Sequence, residues 1–164
     1  MKATIRPARP DDAATIARLI RELATYERLE HEAKASPEDL TRHLFGDRPS
    51  AEVLMAEVEN IPVGFALYFS TFSTFRGQPG IYLEDLFVRP EHRGRGIGKA
   101  LLAGVARVAV ERNCGRLEWA VLDWNTPSID FYRSQGAIPM SDWTVFRVAD
   151  EALQDLASRS ITPS

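Results

Sequence analysis

The densest chemical signal in this sequence is the segment from Arg93 to Gly98, which reads RGRGIG. Glycines lack Cβ atoms, so alternating glycines let successive backbone N–H groups converge on one anion. A helix predicted over 98–112 begins where the segment ends, and its N-terminus adds a partial positive charge. The pattern therefore predicts a phosphate or pyrophosphate site, with formal charge from Arg93 and Arg95. The competing interpretation is a flexible surface loop that happens to be rich in glycine.

Two familiar nucleotide motifs do not match this loop. The pattern G-x-x-x-x-G-K-[ST] requires glycine where Arg93 stands and serine or threonine where Ala100 stands. The dinucleotide fingerprint G-x-G-x-x-G differs from the G-x-G-x-G spacing found here. We therefore expect a phosphate-bearing ligand of another kind.

A pair of carboxylates precedes the loop. Glu84 and Asp85 interrupt an otherwise apolar predicted strand over 81–88. Neighbouring side chains of a regular strand point to opposite faces, so at least one of the two acids should enter a buried face. A buried carboxylate needs a partner or a function. Glu84 is our candidate general base, and the alternative is a strand-edge acid paired with a nearby arginine.

Further acids and aromatics suggest a site for a cation. They gather at the predicted end of the first helix and on the strand and loop beyond the glycine-rich segment: Tyr26, Glu27, Glu118, Trp119 and Asp123. Carboxylates and aromatic rings are the groups that attract an ammonium ion. Glu30 and Glu32 lie close by in sequence, but a solvated helix end explains them better.

The elements that must position these residues follow the order β-α-α-β-β-β-α-β-α-β. Strands are predicted over 3–7, 52–59, 62–70, 81–88, 116–122 and 143–148, and helices after Asp11 or Asp12, from Ser36 to Gly46, and over 98–112, 126–135 and 150–158. Short joins between consecutive strands predict antiparallel pairing, while the strand–helix–strand step over 81–122 predicts a parallel pair. The predicted fold class is therefore α/β, with a mixed, mostly antiparallel twisted sheet flanked by helices.

Composition excludes several other classes of protein. The chain has 164 residues, 45% of them hydrophobic, and a formal net charge of −3, which predicts one domain over 1–164 and argues against a nucleic-acid partner. No apolar run reaches the roughly 20 residues of a membrane span, so we expect no membrane partner and a cytoplasmic location. One cysteine and three separated histidines predict no metal site, and Cys114 is expected to be an inert, buried thiol.

The loop also carries a family resemblance. Arg93-Gly94-Arg95-Gly96-Ile97-Gly98 is similar to the R/Q-x-x-G-x-G/A loop that binds acetyl-coenzyme A in GNAT N-acetyltransferases, and the order of elements agrees with that fold. Three blocks resemble the diamine (spermidine/spermine-type) N-acetyltransferases: IRP at 5–7 with LATYE at 23–27, YLEDLFV at 82–88, and DWNTPSIDFY at 123–132. The similarity runs from about residue 4 to 158.

The resemblance implies a role for each matching residue. It makes Glu84 the base that takes the amine proton and Tyr132 the acid beside the coenzyme sulfur, although helical periodicity alone would make Tyr132 a packed aromatic. It implies acetyl-CoA contacts at Leu86, Phe87, Val88, Arg93, Gly94, Arg95, Gly96, Ile97, Gly98, Lys99, Asn125 and Ser128. Backbone N–H groups around Leu86–Val88, freed by a bulge near that point, are the expected oxyanion donors. Substrate contacts are implied at Tyr26, Glu27, Glu84, Glu118, Trp119 and Asp123, and the expected assembly is a homodimer.

The sequence therefore predicts direct acetyl transfer from acetyl-CoA to a primary amine. The expected acceptor is a diamine, a polyamine or a lysine-like amino acid. Two departures from the diamine enzymes count against a polyamine: Thr126 replaces an acid usual in that family, and the loop over 70–80 lacks the family's tryptophan. A protein or peptide amine as acceptor, and an acyl-CoA sensor without turnover, are the competing functions.

Overall fold

The computed structural model describes residues 2–161 and divides into two compact units, before and after Leu122. In its described part, the first unit holds five strands and three helices: β1 (Thr4–Pro7), α1 (Ala13–Tyr26), α2 (Pro37–Phe45), β2 (Glu52–Val58), β3 (Ile61–Ser73), β4 (Gln78–Val88), α3 (Ile97–Glu111) and β5 (Leu117–Trp119). The second unit holds α4 (Thr126–Ser134) and α5 (Asp150–Ala157).

The five strands form one sheet in the order β1-β2-β3-β4-β5. The first four strands pair antiparallel with their neighbours in sequence, and β5 pairs parallel with β4 after the crossover through α3. The predicted fold class, a mixed and mostly antiparallel sheet flanked by helices, is confirmed.

One face of the sheet packs against α1 and α2. α1 turns an apolar stripe inward, with Ile16 and Leu19 fully buried against Met55 and Phe65 of the sheet. Phe87 near the end of β4 belongs to the same cluster. The other face of the sheet meets α3, where Gly104 lets the helix approach the Leu54 side chain.

The capping signals of α2 act as the sequence predicts. The Ser36 hydroxyl accepts a hydrogen bond from the Asp39 N–H at 3.1 Å, and the Asp39 carboxylate accepts one from the Ser36 N–H at 3.0 Å. This reciprocal pair satisfies two backbone donors that a helix start leaves open. Gly46 ends the helix, as expected.

Ion pairs connect the helices to the sheet at both ends of α1. Arg6 on β1 binds the carboxylates of Asp12 and Glu57, while Asp12 also accepts from the Arg9 N–H at 2.7 Å. Arg89, directly after β4, donates to both Glu22 oxygens at 2.9 and 3.0 Å. A bidentate pair of this kind fixes orientation as well as distance, so it holds the end of β4 against α1.

Three local predictions were wrong. The polar loop expected over about 71–80 is shorter, because β3 continues to Ser73 and β4 already begins at Gln78. The strand expected over 116–122 contains only Leu117–Trp119. The segment 143–148 is not a strand, and its apolar side chains Val145 and Phe146 are exposed. A segment rich in β-branched and aromatic residues becomes a strand only where another strand supplies hydrogen-bond partners, and the described chain offers none to this segment.

Candidate active site

A β-bulge sits at Glu84. The register between β3 and β4 passes from Leu67↔Asp85 to Tyr68↔Leu83, so Glu84 has no partner residue on β3. A bulge of this kind bends the strand and redirects its side chains. The bulge was expected nearer Leu86–Val88, and the structure places it earlier, where β3 contributes one residue fewer than β4.

The bulge separates the environments of the two acids. Asp85 pairs with Leu67 and lies two residues from Phe87, and both of those side chains pack in the cluster under α1. Residues two apart on a strand share a face, so Asp85 points toward α1. Glu84 is exposed, whereas Asp85 is partly buried. The prediction that one of the two acids enters a buried face is confirmed, and that acid is Asp85.

Three carboxylates interact at this point of the sheet. Burial and the charges of Glu84 and Glu27 raise the pKa of Asp85 to about 7. Burial and the charge of Glu84 also raise the pKa of Glu27, the residue that follows α1. Carboxyl groups that share a partly desolvated space disfavour one another's ionised form. The cluster therefore favours either the uptake of a proton or the binding of a cation.

Two further polar groups extend this acidic region along the sheet. Burial, Glu84 and Glu118 together raise the pKa of Tyr82 on β4. Glu118 on β5 lies opposite Tyr82 in the parallel register and is partly paired with Arg116 at 2.9 Å. Trp119 lies opposite Leu83 and is half-buried. The predicted substrate residues of the first unit therefore surround one half of β4.

Beyond Leu83, β4 loses its partner on the side of β5. Within residues 2–161, the parallel register between the two strands ends at Leu83↔Trp119. The Arg89 N–H donates to the Val63 carbonyl of β3 at 2.8 Å, so strand alternation turns the Leu86 and Val88 N–H groups away from β3. These two donors face the gap between the strands, which is a suitable position for binding a developing negative charge.

Arg93 is directed toward the sheet and α1. Its Nε donates to the Val88 carbonyl at 2.8 Å, and its guanidinium carbon lies 4.5 Å from the centre of the Tyr26 ring and 5.5 Å from that of Phe87. Cation–π contacts at these distances are favourable. The side chain therefore connects the loop, the end of β4 and the end of α1, and its expected role in cofactor binding stays a prediction.

The glycine-rich loop has the backbone geometry of an anion site. Gly94 and Gly96 have positive φ values of 75° and 79°, and a Cβ atom built on either would meet nothing within 4 Å. Gly96 caps α3 and, having no side chain, forms no side-chain capping hydrogen bond with the first turn. Arg95 and Lys99 are exposed beside it, while Ile97 is buried and anchors the helix. The unobstructed backbone at Gly94 and Gly96, the N-terminus of α3 and the two exposed cations together fit the pyrophosphate of a coenzyme.

The second unit carries the remaining predicted residues. Asn125 is buried and caps α4, where its side-chain oxygen accepts from the Ser128 N–H at 3.3 Å. Tyr132 is half-buried on the same helix, with its ring 5.4 Å from that of Phe131. Asp123 is exposed. The capping role of Asn125 was not anticipated, although an asparagine before a Thr-Pro pair is a common helix start.

Comparison with known proteins decides the family. The family model described as "Acetyltransferase (GNAT) family" matches residues 16–137. This chain belongs to the GNAT acetyltransferases. A thialysine N-epsilon-acetyltransferase from Bos taurus is 42% identical over 166 residues, covering 94% of this chain and 97% of that protein. A spermidine/spermine N(1)-acetyltransferase-like protein from Homo sapiens is 36% identical, covering 93% of this chain and 23% of that protein.

A solved structure has a similar fold. An integron cassette protein from the mobile metagenome of V. cholerae superposes with a TM-score of 0.81 at 29% identity, covering 98% of this chain and 99% of that one. The resemblance stated from the sequence is therefore confirmed, and the protein is an acetyltransferase. GNAT acetyltransferases use acetyl-CoA as co-substrate.

Two negative findings concern the described residues of this acetyltransferase. Across residues 2–161, no group of three or more histidine, cysteine or acidic side chains is arranged to hold a metal ion, and that includes the acidic cluster. In the same part of the chain, no helix has both the length and the apolar character needed to cross a membrane.

Asp85 is the site residue that sequence reasoning missed. Asp85 was considered only as the neighbour of Glu84, yet burial and the charges of Glu84 and Glu27 raise its pKa to about 7. Its spacing of two from Phe87 was the available signal, since residues at that spacing share a face of a strand. The bulge itself could not be read from β4, because it depends on the register with β3.

Gly96→Ala should destabilise this acetyltransferase by about 1–2 kcal/mol, because φ at Gly96 is 79° and L-residues avoid that region. Gly98→Ala is the matched control: its φ is ordinary and its Cβ would lie 3.9 Å from Val88 Cγ2, so stability should change by no more than about 0.5 kcal/mol. Urea unfolding measures both changes. Equal stability of the two variants would show that the backbone of the loop differs from the one described.

Proposed function

We propose that this acetyltransferase transfers acetyl from acetyl-CoA directly to a primary amine of a small cationic molecule. The observation that carries the proposal is the cluster of Glu27, Glu84 and Asp85. Glu27 follows α1, whereas Glu84 and Asp85 lie on β4, the strand that leads toward the glycine-rich loop. A strand rises about 3.3 Å per residue, so Glu84 lies roughly 13 Å along β4 from Val88, where the strand ends. A carboxylate cluster beside a phosphate cradle suits a cationic acceptor and an anionic donor.

Acetyl-CoA, when bound, supplies the acetyl group as an activated thioester. We propose that the loop residues Arg93, Gly94, Arg95, Gly96, Ile97, Gly98 and Lys99 hold its pyrophosphate. The end of β4, at Leu86, Phe87 and Val88, would run beside its pantetheine arm, and Asn125 and Ser128 would make further contacts. The open backbone at the two left-handed glycines and the outward amides of Leu86 and Val88 support this assignment.

Glu84 and Tyr132 are the proposed base and acid. A primary amine has a reference pKa near 10.4, so removing its proton at neutral pH costs roughly 4–5 kcal/mol. Glu84 is exposed at the bulge, where an entering ammonium can reach it, and the nearby charge of Glu27 adds attraction. The Tyr132 phenol would donate a proton to the departing thiolate, and the Leu86 and Val88 N–H groups would bind the oxyanion.

The acceptor class follows from the acids and from the relatives. One relative is named for thialysine and another for spermidine and spermine, and both names describe cationic primary amines. Tyr26, Glu27, Glu84, Glu118, Trp119 and Asp123 are the proposed acceptor contacts. A diamine, a polyamine or a lysine-like amino acid therefore fits better than a neutral amine.

Thiol release with a panel of acceptors tests this function. Purified enzyme with acetyl-CoA should release thiol with spermidine, a short diamine, thialysine or lysine, and release little with a lysine-containing peptide. Glu27→Gln should raise KM for the acceptor about tenfold, the equivalent of about 1.4 kcal/mol, with kcat little changed. Glu111→Gln is the control, because Glu111 pairs with exposed Arg107 on α3 and belongs to none of the proposed catalytic or binding groups.

Each other outcome of this assay contradicts the proposal in a defined way. Turnover with the peptide alone would make the protein a peptide acetyltransferase. Tight acetyl-CoA binding without thiol release from any amine would make it a sensor.

We also propose that the enzyme is a metal-independent, single-domain homodimer of the cytoplasm. The apolar side chains exposed in the second unit support a second copy as the partner: Trp143, Val145 and Phe146 are 77%, 84% and 90% exposed. Exposed apolar groups that gather in one segment are typical of an interface. Light scattering should give the mass of a dimer, and a monomer at micromolar concentration would contradict this assembly.

The location and the metal independence have tests of their own. Cell fractionation should recover the enzyme in the cytoplasmic fraction. Turnover should be unchanged after a metal chelator is added.

A further inference from the structure

Two arginines that follow β4 contact the C-terminal half of α1. Arg89 donates to both carboxylate oxygens of Glu22, and the Arg93 guanidinium carbon lies 4.5 Å from the centre of the Tyr26 ring. Glu22 and Tyr26 are four residues apart on α1, so they share one face of the helix. The segment between β4 and α3 is therefore connected to the end of α1 at two successive points, by an ion pair and by a cation–π contact.

The two contacts differ in how directly the glycine-rich loop can affect them. Arg89 directly follows β4, and its N–H donates to a carbonyl of β3, so the sheet holds it in place. Arg93 precedes Gly94, the first of the two left-handed glycines. Its side chain turns back toward the end of β4, where its Nε donates to the Val88 carbonyl at 2.8 Å. The backbone of the loop therefore sets the position of Arg93 more directly than that of Arg89.

The glycine-rich loop is exposed where the coenzyme is proposed to bind. Gly94 and Gly96 are exposed, and a Cβ atom built on either would meet nothing within 4 Å. An anion bound to the backbone N–H groups of this loop would restrict its dihedral angles. Because Arg93 is the residue before Gly94, the same restriction would reach the guanidinium that lies over Tyr26.

Tyr26 connects this contact to the proposed acceptor site. It is the last residue of α1, and the next residue, Glu27, belongs to the acidic cluster with Glu84 and Asp85. The Glu27 N–H donates to the Leu23 carbonyl at 2.9 Å, so the backbone of Glu27 continues the hydrogen bonds of the helix. A restriction of Tyr26 therefore restricts Glu27 as well.

We propose that Arg93 is a positioning residue that couples the binding of acetyl-CoA to the binding of the amine acceptor. With the loop occupied, Arg93 holds the Tyr26 ring, and Tyr26 keeps Glu27 in the place where the ammonium enters. These groups are then ordered before the acceptor arrives, so the acceptor binds more tightly. The inference rests on the function proposed above and adds a residue that connects its two sites.

Calorimetry measures this coupling with coenzyme A, which has no acetyl group to transfer, and the acceptor of the amine panel with the highest kcat/KM. In the native enzyme, saturating coenzyme A should lower the Kd of the acceptor about fivefold, and saturating acceptor should lower the Kd of coenzyme A by the same coupling factor. Arg93→Ala should reduce this factor to about one, because the cation over the Tyr26 ring is lost.

Two further substitutions separate the coupling from the affinities themselves. Tyr26→Phe keeps the ring under the guanidinium, so the coupling factor should stay at its native value, whereas Tyr26→Leu should remove the coupling as Arg93→Ala does. Arg95→Ala removes an exposed cation two residues along the loop. It should weaken the binding of coenzyme A and leave the coupling factor unchanged. A residue with only a structural role would alter the affinities without altering this factor.

The contrary results are distinct. If Arg93→Ala keeps the native coupling factor, or if the native enzyme acetylates an amine but shows no coupling, the inference is wrong and the proposed function stands. If the native enzyme neither binds nor acetylates any amine of the panel, the proposed function fails, and this inference fails with it.

Amide hydrogen exchange tests the connection without an acceptor and without activity. In the native enzyme, coenzyme A alone should slow exchange at the end of α1, including the Glu27 N–H that donates to the Leu23 carbonyl. This slowing should be absent in Arg93→Ala. Slower exchange in the glycine-rich loop of the native enzyme, with no change at the end of α1, would overturn the proposal.

Discussion

Tyr132→Phe should lower kcat about 10²–10⁴-fold and change the affinity for acetyl-CoA less than about threefold. The substitution removes a single hydroxyl from α4 and keeps the ring, so the contact with Phe131 remains. If the hydroxyl of Tyr132 only takes part in packing, its removal should change kcat little. If it protonates the thiolate, its removal takes away the proton donor. Steady-state thiol release gives kcat, and calorimetry with coenzyme A gives the affinity.

Tyr68→Phe is the matched control for this loss of a phenol. Tyr68 is buried on β3, where Glu52 and Arg112 act on its hydroxyl, and it belongs to none of the proposed catalytic or binding groups. Its substitution should leave kcat unchanged. Unchanged turnover in Tyr132→Phe would remove Tyr132 from the mechanism and leave solvent as the proton donor.

The sequence predicts most reliably those features that depend on neighbouring residues. The start of α2 follows from Ser36 and Pro37 and its end from Gly46, because caps are formed by local hydrogen bonds. The loop over 93–98 is of the same kind, since left-handed backbone at Gly94 and Gly96 is a local property.

Features that depend on pairing between distant segments could not be predicted in this way. The bulge at Glu84 results from the register of β4 against β3, and no residue of β4 alone specifies it. For this reason it could not be predicted that Glu84 is exposed and Asp85 is partly buried. The segment 143–148 shows the same limit, because it contains the β-branched and aromatic residues typical of a strand but has no partner strand in the described chain.

Side-chain partners drawn from several elements were also unpredictable. Arg93 was expected to supply charge to the cofactor loop, and its contacts with Val88, Phe87 and Tyr26 come from two elements, β4 and α1. The pair between Arg89 and Glu22 was not anticipated either, although it holds the end of β4 against α1. A sequence identifies the charges, and the fold decides which groups they meet.

Asp85→Asn should stabilise the protein at pH 8 by up to about 4 kcal/mol, and the gain should disappear near pH 4. The pKa of Asp85 is about 7 in the folded chain and 3.8 in the reference state, so the fold favours the protonated form. The native protein therefore loses stability as pH rises from about 4 through 7, and each unit of pKa difference is worth about 1.4 kcal/mol. Urea unfolding at pH 4, 6 and 8 measures the difference.

Asp12→Asn provides a control of opposite sign. Hydrogen bonds from Arg6 lower the pKa of Asp12, so its charge stabilises the fold above the ordinary aspartate pKa, and that contribution is lost as the pH falls through the lowered value. Asp12→Asn should therefore destabilise the protein at pH 8, where Asp85→Asn stabilises it. A loss of stability in both variants at pH 8 would mean that a partner stabilises the ionised form of Asp85 in the folded protein. A gain in Asp85→Asn at pH 8 that disappears near pH 4 would instead show that the buried charge of Asp85 lowers the stability of the fold.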